Sequence, residues 1–499
     1  MPSPLASLIC PVLRVPEDGD LGPLIAAQER FGWGGYIVFR APEGLVDVVH
    51  RLEAVSDLPL LIASDIEYGA GQQLAGATVL PCAMALAATG DMAAVREAAS
   101  LTAREARLRG VNWAFAPVAD VNSNPRNPII NMRSFGSQPA AVAACVSAWV
   151  GAAQEAGLLA CAKHFPGHGD TEVDSHTTLP TLGVDRAHLD LVEFPPFRAA
   201  IAAGAGSVMV GHLAVPALDP AGLPATLSRP VVTGLLREEL GFDGLVVTDA
   251  LIMGGVTEGW SEEDAVTAAL EAGCDVLLMP PDPERALEAL ENAVRGGRVS
   301  PARVQNALAR VARHREALRH LPPVTPATPA EGLAIAERLS RQALTLVHGD
   351  PGQPDPSSCL AVIVDDDGEV GPDSPWVQAL TARGFEPYVL RPGFTREEGT
   401  ALIQRAREVG GALLSLFSLI KAWKDRSDLG PELAAVAKEL AETVPTTVIS
   451  FSSPYLIGQC PAAAAYICAY GAGPAEQQAV VEALWLGGGF PGRLPVELA

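Results

Sequence analysis

The chain has 499 residues, 48% of them hydrophobic, which is enough for two domains with sizeable cores. Its formal net charge of −23 repels phosphate backbones and argues against nucleic acid as a partner. No apolar run approaches the ~18 residues a membrane helix needs, and the N-terminus MPSPLASLICPVLRVPEDGD has no basic and then apolar leader, so a mature, cytoplasmic chain is expected.

Short apolar, β-rich runs recur along the first 320 residues, at 6–13, 34–39, 59–65, 111–118, 158–164, 206–212, 244–250 and 275–280. Helix-like segments separate them, among them 91–109, 138–157, 186–203, 229–240, 261–272 and 282–296. Continuous rather than alternating apolar runs are the mark of strands covered on both faces. Eight β-then-α units predict an α/β chain with a (β/α)8, TIM-like barrel over residues 1–320, with a doubly wound open sheet as the alternative pattern.

The stretch LPPVTPATPA, 321–330, reads as a semi-rigid linker. Beyond it, strand-like runs at 343–348, 360–365, 386–391, 411–418, 446–452 and 464–470 alternate with helical patterns at 376–384, 396–408, 431–442 and 474–486. This predicts a smaller α/β sandwich domain over 331–499 with a mostly parallel sheet. No G-x-G-x-x-G follows a strand there, so no nucleotide site is expected. The eight cysteines (Cys10, Cys82, Cys145, Cys161, Cys274, Cys359, Cys460 and Cys468) are scattered with no CxxC, and read as buried free thiols rather than a zinc or disulfide framework.

Polar residues gather at the ends of the predicted barrel strands, where barrel enzymes do their chemistry. The third run ends at Asp65, with Glu67 beyond it; Asp120 follows the fourth, the fifth ends in Lys163-His164, the sixth in His212 and the seventh in Asp249. Each alone reads as a structural group, whereas several on one rim make a site. The densest segment, KHFPGHGDTEVDSHTTLP (163–180), holds His164, His168 and His176 with Asp170 and Asp174. Its glycines and Pro166 leave no fixed ligand face, which argues against a metal. Asp174 lies two residues from His176, close enough to hold an imidazole in one tautomer. Asp249 ends an apolar strand abruptly, as an electrostatic or nucleophilic carboxylate would.

KHFPGHGDTEVDSH (163–176), FAPVADVNSNPRNPIINMRSFG (115–136) and PATLSRPVVTGLLREELGFDGLVVTDAL (224–251) resemble the hallmark blocks of glycoside hydrolase family 3, in its branch of bacterial β-N-acetylglucosaminidases that act on muropeptides. SFSSPYL (450–456) and GRLPVEL (492–498) resemble the second domain of longer members. The resemblance implies Asp249 as nucleophile, His176 as acid/base and Asp174 as its partner, with Asp65, Arg133, Lys163 and His164 gripping the sugar. It implies a retaining double displacement on a small carbohydrate, in cell-wall turnover, with no metal and no organic cofactor. One position departs: Gln73 stands where the family commonly has a sugar-binding arginine, which leaves the exact sugar open. A β-N-acetylglucosaminide phosphorylase, a β-glucosidase on the same scaffold, and a non-catalytic sugar-binding protein are the alternatives. Oligomeric state is not legible.

Overall fold

The computed structural model describes residues 2–421, 424 and 426–498. The chain divides into two compact units. The first comprises Met1–Val79, Val95–Val121 and Gln138–Gly332; the second comprises Leu80–Ala94, Asn122–Ser137 and Leu333–Ala499.

The first unit is built on eight strands: β1 (Ile9–Cys10), β2 (Gly35–Ile37), β3 (Leu61–Ser64), β4 (Trp113–Ala114), β5 (Leu159–Phe165), β6 (Ser207–Val210), β7 (Leu245–Thr248) and β8 (Leu277–Leu278). β2 to β7 pair in sequence order, all parallel, and β8 pairs with β1. Parallel bridges Val12↔Ile37 and Val247↔Val276 join the two sets, with Leu13 N donating to Ile37 O at 2.8 Å and Thr248 N to Val276 O at 3.0 Å. This continuity around the ring excludes the doubly wound open sheet. Every strand overlaps a predicted run, because each is buried from both sides and so carries an uninterrupted apolar stretch. Strand packing is close enough to demand glycine at one point: a Cβ on Gly35 would lie 2.1 Å from Leu61 O.

Three segments depart from expectation, one of them the predicted helix 229–240, which is wound as a π-helix over Pro230–Glu239. Residues Pro4–Leu8 form a 3-10 turn instead of the start of the first strand, with Pro4 at its first position. The predicted helix over 186–203 is continuous in place but not in winding, since Leu189–Glu193 forms a π-helix before Phe194–Ala202 resumes the α form. Pro195 and Pro196 have no N–H to donate, so the regular ladder is interrupted there.

In the second unit β9 (Thr345–His348), β10 (Leu360–Asp365), β11 (Tyr388–Leu390), β12 (Ala412–Phe417), β13 (Thr446–Ser450) and β14 (Ala465–Cys468) form one sheet in the order β11-β10-β12-β13-β14-β9. All pairs are parallel except β14 with β9. Helices Pro375–Ala382 and Pro474–Trp485 cover one face around Trp376. Arg396–Val409 and Pro431–Thr443 cover the other, joined by Met84, Ala85 and Ala88 of the helix Ala83–Ala88. The predicted linker is irregular only as far as 328, and Pro329 opens the helix Pro329–Ala343. Among the described residues no helix is long and apolar enough to cross a membrane.

Candidate active site

The ends of β3, β4 and β5 bring three of the predicted site residues, Asp65, Lys163 and His164, together with Glu67 and Asp120. Lys163, almost fully buried, places its ammonium 2.7 Å from Asp65 Oδ1 and 2.6 Å from Glu67 Oε1. Two carboxylates thus share one buried cation, and Asp65 keeps part of its side chain exposed. His164 Nδ1 lies 2.7 Å from Oδ2 of the fully buried Asp120, which also accepts from the backbone N–H of His168 at 2.7 Å. Burial would raise the Asp120 carboxyl, but the His164 imidazole and the donated hydrogen bonds outweigh it and hold the group below its usual range. A carboxylate only accepts, so Nδ1 of His164 carries the proton and the ring orientation is fixed.

The loop after β5 is shaped by close contacts. A Cβ on Gly169 would lie 1.7 Å from Val121 O, so no side chain fits there. His168 is not available as a ligand for metal: Nδ1 lies 2.6 Å from Thr171 Oγ1 and Nε2 3.0 Å from Ser175 Oγ. Burial pushes this imidazole down to about 4, so it acts as a neutral staple within the loop. No group of three metal-capable side chains occurs among the described residues. Asp174, buried, accepts from His176 N at 2.9 Å and sits 2.6 Å from His176 Nδ1. His176 retains a partly exposed ring. Its carbonyl accepts from Gly254 N at 3.1 Å and that of Ser175 from Gly255 N at 3.1 Å. A Cβ on Gly254 would lie 2.4 Å from Thr177 O. The loop that leaves β5 is therefore anchored beside the segment that leaves β7.

Asp249 stands at the end of β7, its N–H bonded to Val210 O at 2.9 Å and its Oδ1 accepting from Ala250 N at 2.8 Å. Burial works against ionisation here, but the imidazoles of His164, His212 and His176 and the Ala250 N–H reverse it, holding the carboxyl at about 2. It is a carboxylate at any physiological pH. His212, at the end of β6, contributes by position: its Nε2 lies 3.0 Å from Ala250 O and its Nδ1 2.7 Å from Thr226 Oγ1. The residue after Asp249 is thus pinned from below.

Arg133 belongs to the second unit, on the turn Asn131–Arg133, where its guanidinium donates to Ile129 O at 3.1 Å. Gln73 does structural work: its Oε1 accepts from Arg40 N at 3.0 Å and its carbonyl from Ala41 N at 2.7 Å. Sequence reasoning missed Glu193. Both its carboxyl oxygens are buried without a hydrogen-bond partner, the nearest cation being His188 Nε2 at 3.9 Å. It lies against the catalytic loop, since a Cβ on Gly167 would come within 2.3 Å of its Oε2. Burial pushes its carboxyl up to about 7. The signal in the sequence was a single carboxylate within the apolar run LVEFPPF.

A partly exposed carboxylate held ionised at the end of one barrel strand, and an imidazole held by a carboxylate on a loop tied beside it, are the parts of an acid/base-assisted displacement. Comparison with known proteins gives the family. Residues 31–314 match the Glycosyl hydrolase family 3 N terminal domain. A β-N-acetylglucosaminidase/β-glucosidase of Cellulomonas fimi is 32% identical, over 90% of this chain and 85% of its own. A β-hexosaminidase of Thiobacillus denitrificans is 36% identical, over 58% of this chain and 86% of its own. The solved structure of a glycoside hydrolase family 3 β-N-acetylglucosaminidase from Paenibacillus sp. strain FPU-7 superposes with a TM-score of 0.88 at 31% identity, covering 99% of this chain and 98% of that one. With the rim residues, the ring of eight strands and these matches in one chain, it belongs to glycosyl hydrolase family 3.

Proposed function

We propose that this enzyme is an exo-acting β-N-acetylglucosaminidase that hydrolyses terminal β-linked N-acetylglucosamine with retention of configuration. The relatives of similar length carry that activity in their names. The observation that carries the residue roles is the His176–Asp174 contact of 2.6 Å on a loop whose backbone is bonded to Gly254 and Gly255, just beyond Asp249.

In the first step Asp249 attacks the anomeric carbon, the bond from that carbon to the leaving oxygen breaks, and His176 gives that oxygen its proton. In the second, water attacks the same carbon, His176 takes the water's proton, and the bond to Asp249 breaks. Nδ1 is committed to Asp174, so the proton exchanged with the substrate is the one on Nε2. Asp174, nearly fully buried, stabilises the imidazolium that donates its proton in the first step and is regenerated in the second. Asp65, Lys163 and His164 grip the hydroxyls of the sugar, the buried Lys163 fixing Asp65 by charge. Eight cysteines with no disulfide support a reducing, cytoplasmic setting. The test is turnover of an aryl β-N-acetylglucosaminide against the matching aryl β-glucoside: preference for the glucoside overturns the assignment of the sugar.

A further inference from the structure

The candidate catalytic groups of the first unit come from the ends of β3, β4, β5, β6 and β7. The arc formed by β8, β1 and β2 supplies none of them, yet in the closed ring it lies between the strand of Asp249 and the strand of Asp65. That arc is not filled. A recess of about 410 Å³ opens at the same ends of these strands, lined by Val12, Arg14, Phe39, Arg40 and Met279 among others.

Two features of the recess point to a ligand. The first is charge. Arg14 and Arg40 are both exposed, and neither guanidinium has a hydrogen bond or ion pair with any described residue. The residues that line the recess include these two cations and no carboxylate, on a chain of net charge −23. The second is backbone conformation. Arg40 and Met279 both hold left-handed backbone, φ 45° and 48°, which costs a non-glycine residue energy that its surroundings must supply. For Arg40 the support is Gln73, which grips the Arg40 N–H with its side chain and the Ala41 N–H with its carbonyl. The β2 loop is thus held in a costly conformation that lines the recess with a cation.

The geometry points to an anion-accepting leaving-group subsite: Arg14 and Arg40 bind a carboxylate carried by the group that the enzyme releases from the sugar. The direction follows from His176. Its backbone is bonded to Gly254 and Gly255 beyond β7, so the leaving oxygen it protonates lies near β7, and β8 and β1 are the next strands around the ring. Phe39 and Met279 supply apolar surface for the carbon skeleton, while the two guanidinium forks match a carboxylate bidentately. This inference rests on the glycosidase reading.

The experiment uses two aryl β-N-acetylglucosaminides whose phenols have matched acidity, one neutral and one bearing a carboxylate on a short flexible arm. Wild type is expected to turn over the carboxylate-bearing one with a kcat/KM about tenfold higher at low salt, carried in KM. The preference should fade in ~1 M salt, where the screening length is only ~3 Å. The double variant Arg14→Ala/Arg40→Ala should lose the preference and retain the neutral reaction, while Arg14→Lys/Arg40→Lys keeps part of it. Absence of any preference in wild type, or an equal loss on both substrates in the alanine variant, overturns the subsite. If neither substrate is turned over, the glycosidase reading fails on its own. Calorimetric binding of the carboxylate-bearing glycoside to wild type and alanine variant then decides the recess, and equal affinities overturn it.

Discussion

Glu193 gives the first quantitative test. Its carboxyl is fully buried, makes no hydrogen bond, and titrates at about 7 in the folded chain against 4.5 when free. Folding therefore favours the protonated form. Its stabilising contribution is complete below pH 4.5 and is lost as pH rises through 7, because the unfolded chain releases this proton first. At 1.36 kcal/mol per unit, the difference between pH 5 and pH 8 amounts to about 2 to 3 kcal/mol. Glu193→Gln removes the titration while keeping shape. The expected result is that stability of wild type falls from pH 5 to pH 8 by about 2 to 3 kcal/mol more than that of Glu193→Gln, whatever the offset between them at acid pH. His188, raised chiefly by Glu193, whose carboxyl oxygen lies 3.9 Å from its Nε2, changes in the same direction and adds to the slope. Urea unfolding at four pH values, followed through the transition that melts the barrel, reads the difference. Parallel pH profiles for the two proteins would show that Glu193 is ionised or solvated in the fold, and the reasoning would be wrong.

Three further outcomes follow from the site. Asp249→Asn should fold normally and lose nearly all turnover, and wild type treated with a 2-fluoro glycoside should carry the sugar on Asp249; mass spectrometry showing the label on another carboxylate refutes the assignment. His176→Ala should slow poor leaving groups far more than activated aryl ones, and adding Asp174→Ala should make little further difference, because both act through one imidazole; equal damage across leaving groups would make His176 structural. Hydrolysis should dominate in millimolar phosphate, since Asp174 and Asp249 repel an approaching dianion even though the imidazole does not; sugar 1-phosphate as the main product by NMR would replace the hydrolase with a phosphorylase.

The sequence made the barrel legible because each strand is wrapped on both sides, leaving uninterrupted apolar runs that alternate with helices. It made Asp249 and the Asp174–His176 pair legible because charge at the end of such a run stands out, and because a carboxylate two residues from a histidine can reach it. What it did not show depends on contacts distant in the chain. Glu193 looks like one more helical glutamate until Gly167 is packed against it. His168 is one of three histidines in its loop, and only the fold shows Thr171 and Ser175 against its two nitrogens. Gln73 reads as a substitution in a sugar site, and only the fold reveals that it holds the Arg40 backbone. The winding of Leu189–Glu193 and the early end of the linker at Pro329 are likewise local choices set by prolines.

The division of the chain into units also bears on how it is made. Segments Leu80–Ala94 and Asn122–Ser137 belong with residues that follow Leu333. At roughly 5 to 20 residues per second of synthesis, the helix Ala83–Ala88 leaves the ribosome long before the sheet that buries Met84, Ala85 and Ala88 exists. For tens of seconds the nascent chain carries an apolar helix with its permanent partners still untranslated. Cutting at the proline-rich stretch would make that condition permanent, leaving Met84, Ala85 and Ala88 without the sheet that buries them.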